Sequence, residues 1–395
     1  MTPAANTLNA VDAGSVQHFI GLMSGTSIDG VDGVLVEFDA AGNLLGTLAV
    51  ASQAMPAGLR GRLTSLQQPA ADELAAAALA ANELSDLYAE CVRDLLAQAS
   101  IRSSAVTALG AHGQTVRHDP ARGYTIQLLN GARLAEATGI DTVTDLRSAD
   151  IAAGGQGAPL LPAFHARVFA GDLRRAIVNI GGIANITVLA PRQVGEALPD
   201  HGSPVIGYDT GPGNTLLDFW CERHRGERFD RDGLWAASGT PDASLLARLR
   251  DEPYFDRAAP KSTGRDLFNG DWLQQHDLAR LAVADVQATL LELTATTIAD
   301  ECRRHQVAQV HVCGGGAANP QLMRRLQALL PDVGVGSTEA LGLHPQAVEA
   351  SGFAWLARQR VVREAGNLES VTGASGPRVL GALHVAGGAS ARREG

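Results

Sequence analysis

The sequence FIGLMSGTSIDGVDGVLVEF, residues 19–38, decides the fold of this chain because two apolar runs flank a small polar turn. Apolar runs of this length bounded by turn residues are typical of β-strands, so the stretch predicts a β-hairpin. Gly25 and Gly30 allow the backbone to bend and to come close to a ligand. A tight hairpin with a polar turn explains these residues equally well when they are taken alone.

The turn of this hairpin carries groups that suit an anion. Ser24, Thr26 and Ser27 offer hydroxyl donors, and backbone amides in such a turn can form an anion-binding nest. The carboxylates of Asp29 and Asp32 could hold a cation or a water molecule beside that anion. The turn therefore suggests a phosphate site, with Asp29 as a candidate metal ligand.

Glycine-rich turns recur twice further along the chain. Residues 175–189 (RAIVNIGGIANITVL) predict a strand, a glycine turn and a second strand, which repeats the pattern of the opening hairpin. Residues 309–319 (QVHVCGGGAAN) predict a strand that runs into three glycines and is followed by a helix. The glycines of these turns are Gly181, Gly182, Gly314, Gly315 and Gly316.

The order of the remaining patterns indicates a duplicated fold. After the hairpin, the first half predicts a third strand, helix, strand, a further strand, a short helix and a final strand. This β-β-β-α-β-(β)-α-β order is characteristic of a ribonuclease-H-like half, and the second half restarts it. We therefore predict an α/β fold of two duplicated ribonuclease-H-like lobes with a nucleotide in the cleft. The predicted units are a frayed extension (1–17), lobe I (18–140 plus 345–395) and lobe II (141–344).

In such a fold the two glycine hairpins would approach the phosphates of the nucleotide from opposite sides, and the triple-glycine turn would pack on the adenosine. The predicted contacts in the first hairpin are Ser24, Gly25, Thr26, Ser27, Ile28, Asp29, Gly30 and Val31. Other nucleotide motifs fit poorly. The chain has no P-loop, and the segment Gly211-Pro212-Gly213 lacks the third glycine of a dinucleotide fingerprint.

The amino-acid composition limits the kinds of molecule that this protein is expected to bind. A chain of 395 residues favours two domains, and 45% hydrophobic residues supply a sizeable core. The net charge of −10 argues against nucleic-acid backbones and anionic membranes as partners. The four cysteines are far apart and form no CxxC pair, so they predict neither a zinc site nor a disulfide framework.

The sequence also predicts a cytoplasmic location. Residues 1–17 contain neither the basic nor the apolar region of a signal peptide. No apolar run approaches the 18 residues or so of a membrane span. The expected partner is a small-molecule substrate, and a homodimer stays open.

Eight short motifs resemble those of the anhydro-N-acetylmuramic acid kinase family. They are GLMSGTSIDGVD (21–32), HGQTVRH (112–118), GGQGAPL (154–160), NIGG (179–182), DTGPGN (209–214), KSTGR (261–265), CGGG (313–316) and FAWLA (353–357). Each motif is weak alone, but together they are specific, because they follow the family's order from about residue 18 to 385.

The resemblance implies an unusual phosphorylation. The family opens the 1,6-anhydro bond of anhydro-N-acetylmuramate with water and phosphorylates the 6-oxygen, using ATP and Mg²⁺. The product is N-acetylmuramate 6-phosphate, within cell-wall recycling. The family belongs to the superfamily of sugar kinases, heat-shock ATPases and actin, which agrees with the duplicated lobes. Opening the ring requires a base that activates water on the face opposite the leaving oxygen, as in an inverting glycosidase.

The resemblance identifies Asp209 as that base, because the family has a water-activating Asp in the matching position. The residues themselves place Asp209 at a strand end, before a Gly-Pro-Gly turn that can expose its carboxylate to a cleft. The alternative is that Asp209 caps the helix that begins near Asn214, which is a frequent role of Asp.

Several polar residues are candidates for binding the sugar. Arg147 could pair with the lactyl carboxylate of the substrate, because a guanidinium binds carboxylates in a bidentate manner; a salt bridge between the lobes is the alternative. Asp150 and Glu349 are expected near the cleft. His112 could orient a phosphate or the sugar, although a lone histidine after a strand is more often structural. Lys261 and Arg265 could reach the phosphates of ATP, although a solvated loop is the expected environment of both.

Two functions from other classes remain open at this point. One is a sugar or nucleotide sensor without catalysis on the same fold, which would need the Asp209 position to be lost. The other is an ATPase or phosphatase of the same superfamily that has no sugar acceptor. The dependence of ATP turnover on an anhydro sugar distinguishes them from a kinase.

Overall fold

The computed structural model describes residues 16–25, 27–192 and 205–387. The predicted contact Thr26, nearly all of the predicted extension 1–17 and the last eight residues of the predicted lobe I lie outside the described residues.

The strands in the described residues alternate with helices in the predicted order. They are β1 (Gln17–Met23), β2 (Gly30–Phe38), β3 (Leu44–Ala54), β4 (Val106–Ala111), β5 (Gln114–Asp119), β6 (Tyr124–Leu128), β7 (Thr142–Thr144), β8 (Arg175–Ile180), β9 (Ile183–Leu189), β10 (Ile206–Pro212), β11 (Gln309–Cys313), β12 (Gly334–Ser337) and β13 (Ala382–His384).

The helices cover the faces of the sheets. They are α1 (Ala57–Ser65), α2 (Glu73–Ala99), α3 (Gly131–Thr138), α4 (Ser148–Ala152), α5 (Leu161–Phe169), α6 (Thr215–Arg225), α7 (Leu234–Ser238), α8 (Ala243–Arg250), α9 (Gly270–Gln274), α10 (Val283–Arg304), α11 (Pro320–Leu329), α12 (Val348–Val362) and α13 (Glu369–Thr372).

The two large sheets have the same topology. The first has the order β13-β7-β4-β1-β2-β3 and the second the order β10-β9-β8-β11-β12. In each sheet three strands that follow one another in sequence pair antiparallel, and the next main strand pairs parallel to the first of them. The predicted pair of ribonuclease-H-like halves is therefore confirmed, and each half opens with a hairpin.

The predicted lobe boundaries stay a prediction, and one strand differs from them. The boundary at residue 141 assigns β7 to lobe II, whereas β7 pairs parallel to β4 in the first sheet. The reason is the intervening helix α3, because parallel neighbours in a sheet are joined by a helical crossover. Strand β13 pairs in turn with β7, so the chain returns to the first sheet after it has formed the second.

The central strands of both sheets are buried on both faces. In β8, Ala176, Val178 and Ile180 belong to a core between one face of the second sheet and the helices that pack on that face. Ile177, which points to the opposite face, belongs to a second core that also contains Phe19 of β1. Helices α5 and α12 contribute to this second core. The two sheets therefore share one hydrophobic core.

Helix α12 lies unusually close to the first sheet, and glycine makes this possible. A Cβ atom on Gly21 of β1 would lie 1.7 Å from the carbonyl oxygen of Ala350. A Cβ atom on Gly110 of β4 would lie 2.1 Å from the carbonyl oxygen of Phe353. Real Cβ atoms do not approach backbone oxygens so closely, so both glycines are required by packing.

We predict that Gly21→Ala destabilises the protein by about 3 kcal/mol, because overpacking against a backbone forces the helix away from the sheet. Gly46→Ala is the matched control, since nothing lies within 4 Å of a Cβ atom on this glycine of β3. Urea unfolding should show a lower midpoint for Gly21→Ala and none of this loss for Gly46→Ala. Equal midpoints for both variants would contradict the packing argument.

Candidate functional site

The second glycine hairpin is fixed to the start of helix α6. The amides of Gly213 and Thr215 donate to the carbonyl oxygen of Gly182 over 2.9 and 3.0 Å, and the amide of Asn214 donates to Gly181 over 2.8 Å. A Cβ atom on Gly213 would lie 2.3 Å from the oxygen of Gly181, so this close contact requires glycine. The turn is thus held from behind by the helix.

The other side of this turn is open. A Cβ atom on Gly181 would meet nothing closer than 3.7 Å, and one on Gly182 would lie 3.6 Å from the guanidinium of Arg265. These glycines are not required by packing or by a positive φ angle, and a ligand can approach the backbone there. Arg265 places a positive charge beside the turn.

The first hairpin has one open glycine and one that packs. A Cβ atom on Gly25 would lie 3.8 Å from the nearest atom, the Ser27 hydroxyl, whereas one on Gly30 would lie 2.3 Å from the backbone oxygen of Gln53. Gly30 is therefore explained by the pairing of β2 with β3 and not by a ligand. Among the described residues of this turn, Gly25 and Ser27 remain accessible to a phosphate.

The other predicted contacts of the first hairpin are buried. Ser24 is 1% exposed and donates its hydroxyl to Gln114 over 2.6 Å. Ile28 and Val31 belong to the core beneath the first sheet. Ile28 has a φ angle of 53°, which is strained for a branched side chain and marks a fixed turn. For Ser24, Ile28 and Val31, a nucleotide would meet the backbone and not the side chain.

Asp29 is engaged by two arginines. Arg60 of helix α1 and Arg228, which follows α6, both donate to its Oδ1 atom, Arg228 over 2.6 Å. The prediction of Asp29 as a metal ligand is not supported by this geometry, because the two guanidinium groups already compensate its charge. Arg228 lies near the second sheet, so the pair joins the two sides of the cleft.

Only one of the three glycines after β11 is open. Gly314 has a φ angle of 76°, and a Cβ atom there would lie 2.2 Å from the side-chain oxygen of Asn179. A Cβ atom on Gly316 would collide with Ile180 at 2.4 Å, whereas one on Gly315 would have its nearest neighbour at 3.8 Å. Gly314 and Gly316 are therefore explained by packing against the end of β8, and Gly315 faces open space.

A cavity of about 460 Å³ connects these elements. It lies between the turn of the first hairpin and the elements that follow β10 and β11 in the second half of the chain. Its lining includes Asp29, Asn214, Asp218, Gly315, Asn319 and Gln346. Of the residues predicted to bind a nucleotide, Asp29 and Gly315 line this cavity.

The carboxyl group of Asp218 in this cavity has an unusual environment. Burial, together with the charges of Asp29, Asp230 and Glu222, raises its pKa to about 7 against the opposing charge of Arg265. A cation bound there would relieve this crowding of negative charge. Sequence reasoning missed Asp218; its position one turn into the helix that begins at the glycine turn was the available signal.

Asp209 lies within β10, beside an irregularity in the sheet. The pairing of β9 and β10 shifts between Asp209 and Gly211, so Thr210 is an extra residue. Such bulges redirect neighbouring side chains. The amide of Thr263 donates to the Oδ2 atom of Asp209 over 3.0 Å. The carboxylate is therefore held by a loop from another part of the chain.

Two details of the sequence interpretation change here. Asp209 was expected at the end of a strand, but β10 continues to Pro212 because β9 pairs along its whole length. The alternative role of Asp209 as a helix cap is wrong, since Asn214 is the residue before α6 and the Asp209 carboxylate bonds to Thr263.

The carboxyl group of Asp209 is poised for proton transfer. Burial raises its pKa to about 6, and the hydrogen bond from the Thr263 amide opposes this rise. A carboxylate with such a pKa is a stronger base than an exposed one and is still ionised near neutral pH.

Buried His112 and partly buried Arg147 form a pair next to the first sheet. The guanidinium of Arg147 donates to Nε2 of His112 over 2.8 Å and to the oxygen of Gly157 over 2.7 Å. Burial and the charge of Arg147 lower the pKa of His112 to about 3. The histidine is therefore neutral, with the Nδ1 proton donated to the oxygen of Gly113. Its role here is to orient Arg147.

Glu349 faces the same region from the first turn of α12. Burial and the charge of Asp32 raise the pKa of Glu349, and Arg147 and a hydrogen bond from Asn179 oppose this rise. Asn179 ends β8, so the second sheet contacts the helix of the first sheet at this point. The structure thus brings together His112, Arg147 and Glu349, three of the four predicted sugar contacts.

The fourth predicted sugar contact, Asp150, is hydrogen-bonded to other groups of the protein. Its carboxylate is fully buried and accepts hydrogen bonds from the Gly157 amide, the Asn367 side chain and the Thr372 hydroxyl, each over 2.7 Å. These bonds fasten the segment after α4 to the segment around α13. The geometry does not support the predicted contact of Asp150 with sugar, which stays a prediction.

Lys261 differs most from its expected environment. Its side chain is 2% exposed and pairs with Glu301 of α10 over 3.1 Å, whereas the sequence suggested a solvated loop. The loop is buried because this pair and the rings of Tyr208 and Tyr254 enclose the ammonium group. Thr263, Tyr254 and Glu301 were also missed, because their partners are distant in sequence.

Comparison with known proteins gives the family. The family model described as anhydro-N-acetylmuramic acid kinase matches residues 17–386. The chain belongs to the anhydro-N-acetylmuramic acid kinase family. A relative with that name from Ralstonia nicotianae is 54% identical over 380 residues, which cover 94% of this chain and 98% of the relative. Another from Albidiferax ferrireducens is 52% identical, covering 93% and 99% of the two chains.

The family match includes both glycine hairpins, Asp209 and helix α12, since all of them lie between residues 17 and 386. Among solved structures, component A of (R)-2-hydroxyglutaryl-CoA dehydratase from Acidaminococcus fermentans is 12% identical with a TM-score of 0.47, covering 88% of this chain and 99% of that chain. The fold assignment rests on the strand pairing of this chain. No helix in the part that the structure describes has the length and apolar character needed to cross a bilayer.

We predict that Asp209→Asn stabilises the folded protein at pH 8 but not near pH 4. Because the folded-state pKa is raised from 3.8 to about 6, ionisation of the buried group opposes folding above pH 6 by about 3 kcal/mol. This penalty becomes small as the pH falls through 6 towards 4, because the carboxyl group of the folded protein is then protonated. Urea unfolding of both proteins across this range measures the difference.

Asp150→Asn is the matched control. Its carboxylate accepts three hydrogen bonds, so an amide nitrogen would face a donor and the variant should be less stable at pH 8. A stabilising effect of Asp150→Asn, or a destabilising effect of Asp209→Asn at pH 8, would contradict this assignment of the two carboxyl groups.

Proposed function

We propose that this chain is an ATP-dependent kinase that opens 1,6-anhydro-N-acetylmuramic acid with water and phosphorylates the 6-oxygen. The product would be N-acetylmuramic acid 6-phosphate, an intermediate of peptidoglycan recycling. The observation that carries the proposal is Asp209, a partly buried carboxylate of raised pKa on a bulged strand, two residues before the turn that leads into α6. Membership of the family supplies the substrate.

Asp209 is the general base in this proposal. Thr263 binds one of its oxygens, which leaves the other to accept a proton from water. The water oxygen bonds to C1 of the sugar, the bond between C1 and O6 breaks, and the proton passes to the carboxylate. Inversion at C1 follows, because the water attacks from the face opposite O6.

The released O6 is the nucleophile for the second step. It attacks the γ-phosphorus of ATP, ADP leaves, and no separate base for O6 is needed because the oxygen is already without its proton. Phosphoryl transfer depends mainly on positioning and on stabilising charge. In this proposal the open backbone at Gly25 and at Gly182 positions the phosphates from opposite sides. The guanidinium of Arg265, beside Gly182, stabilises their charge.

Mg²⁺ fits this arrangement through Asp218. A magnesium ion usually takes one or two carboxylates together with waters and substrate phosphates. The crowded, half-buried Asp218 supplies such a carboxylate, whereas Asp29 is paired with Arg60 and Arg228. When bound, the ion would neutralise charge that develops on the phosphate oxygens.

Arg147 is the proposed contact for the lactyl carboxylate of the sugar. Neutral His112 binds one edge of its guanidinium, and Gly157 binds another donor, so its orientation is fixed before substrate arrives. Glu349 is the proposed partner for sugar hydroxyls. We place the enzyme in the cytoplasm, where ATP is available, and leave a homodimer as a proposal for solution measurements.

An ATPase or phosphatase without a sugar acceptor is the weaker candidate. It would not need the pair of Arg147 and Glu349 next to the cleft. A sensor without catalysis would not need a buried carboxylate that lowers the stability of the fold.

The first test is Asp209→Asn with the anhydro sugar. Removing a general base lowers a rate by about 10²–10⁴-fold, so ring opening and ATP turnover should fall together by this factor. ATP affinity should stay unchanged, because Asp209 is assigned to water and not to phosphate. Ring-open N-acetylmuramate has a free 6-hydroxyl and serves as the control acceptor, since it needs no activated water.

Wild-type turnover in ¹⁸O-water locates the attacking oxygen. The label should appear on C1 of the sugar and be absent from the transferred phosphate. Label in the phosphate, or turnover of the anhydro sugar by Asp209→Asn at nearly the wild-type rate, would overturn the mechanism.

The second test concerns the phosphate site. Gly182→Val places a branched side chain where a phosphate must approach, yet its Cβ atom would make only an ordinary contact of 3.6 Å. ATP affinity measured by calorimetry should fall at least tenfold while the fold is retained. Gly336→Val, on strand β12 with nothing within 4 Å of a Cβ atom, is the matched control. Unchanged ATP affinity in folded Gly182→Val would exclude this turn from the site.

A further inference from the structure

We propose that Lys261 is a positioning residue for Asp209: its buried ammonium group anchors the segment that holds the carboxylate in place. This inference rests on the proposed role of Asp209 as the base. It concerns a residue that touches neither sugar nor nucleotide in the proposed mechanism and acts through three contacts of its own segment.

The ammonium group of Lys261 is enclosed by four groups. Its nitrogen donates to Oε1 of Glu301 and to the backbone oxygen of Phe255, both over 3.1 Å. It also lies 5.1 Å from the ring centre of Tyr254 and 5.7 Å from that of Tyr208. Cation–π contacts of this kind are strongest where water is excluded. The lysine therefore has one fixed position.

The same segment binds Asp209 at three atoms. The amide of Asp209 donates to the backbone oxygen of Lys261 over 3.3 Å. The hydroxyl of Tyr254 donates to the backbone oxygen of Asp209 over 2.7 Å. The amide of Thr263 donates to the carboxylate over 3.0 Å. Both the backbone and the side chain of the base are thus set by residues that the ammonium group holds.

Helix α10 provides the fixed end of this network. Glu301 accepts a hydrogen bond from Lys261 at Oε1 over 3.1 Å and one from the hydroxyl of Tyr208 at Oε2 over 2.8 Å. Tyr208 directly precedes Asp209 on β10. The carboxylate of Glu301 therefore binds both strand β10, through Tyr208, and the loop that contains Lys261. Asp209 contacts both of these segments.

A purely structural role is the competing explanation. Buried ion pairs often contribute little net stability, because desolvation offsets their attraction. The positioning role makes a different prediction: replacing Lys261 lowers the rate only because it displaces the carboxylate of Asp209. In Lys261→Met the loop loses its anchor and the carboxylate moves, and a misplacement of about 1 Å can reduce turnover by about 10²-fold.

The experiment measures kcat and KM for the anhydro sugar and ATP with Lys261→Met. We expect kcat to fall by about 10–10²-fold with the KM for ATP unchanged. The decisive measurement is the double variant with Asp209→Asn. If Lys261 acts through the base, adding Lys261→Met to Asp209→Asn causes no further loss, whereas independent effects multiply.

A second ion pair on the same helix provides the matched control. Glu292 of α10 is also nearly buried and pairs with Arg325 over 2.6 Å, and neither residue contacts Asp209 or its partners among the described hydrogen bonds. Arg325→Met breaks this pair in the same way and should leave kcat unchanged. A similar loss of kcat in both variants would show a general effect on the fold and overturn the inference.

Tyr254→Phe tests the same network without a buried unpaired charge. It removes only the hydroxyl that binds the backbone of Asp209 and keeps the ring beside the ammonium group. We expect a smaller loss of kcat that also disappears in the Asp209→Asn background. If Lys261→Met does not fold, this variant decides the question.

The outcomes separate the two proposals. If Asp209→Asn is inactive while folded Lys261→Met keeps full kcat, or if the losses multiply, only the positioning role fails. If Asp209→Asn turns over the anhydro sugar at the wild-type rate, the proposed base and the positioning residue fail together.

Discussion

The close packing of helix α12 on the first sheet is the constraint on which the cleft depends. Gly21 and Gly110 allow the helix backbone to lie against β1 and β4, and the helix in turn sets the position of Glu349 in its first turn. Asn179 at the end of β8 bonds to that glutamate. A larger side chain at either glycine would move the helix and, with it, one wall of the site.

The sequence was a good guide to the architecture. Alternating apolar runs and repeated glycine turns predicted both hairpins and the duplicated sheets, because these signals are local and periodic. It could not separate the two uses of glycine. Gly25, Gly182 and Gly315 face open space, whereas Gly30 and Gly314 allow packing, and only the distances to neighbouring strands reveal which is which.

Charged residues were the hardest to interpret. Asp150 was expected near a cleft and Lys261 in solvent. Both are buried instead, and their charged or polar side-chain partners Asn367, Thr372 and Glu301 lie 40 or more positions away in the sequence. The sequence does not show which residue will pair with a given charged side chain. Whether that side chain can be buried depends on whether it finds such a partner. The same lack of information hid Asp218, whose surroundings come from three separate segments.

The core shared by the two sheets has a consequence for the molecule as a whole. Phe19 of the first sheet and Ile177 of the second belong to one cluster, with helices α5 and α12 between them. Neither half can hide its apolar surface without the other, so a fragment containing one sheet should aggregate and not fold alone. The two similar halves should therefore unfold together as a single cooperative unit.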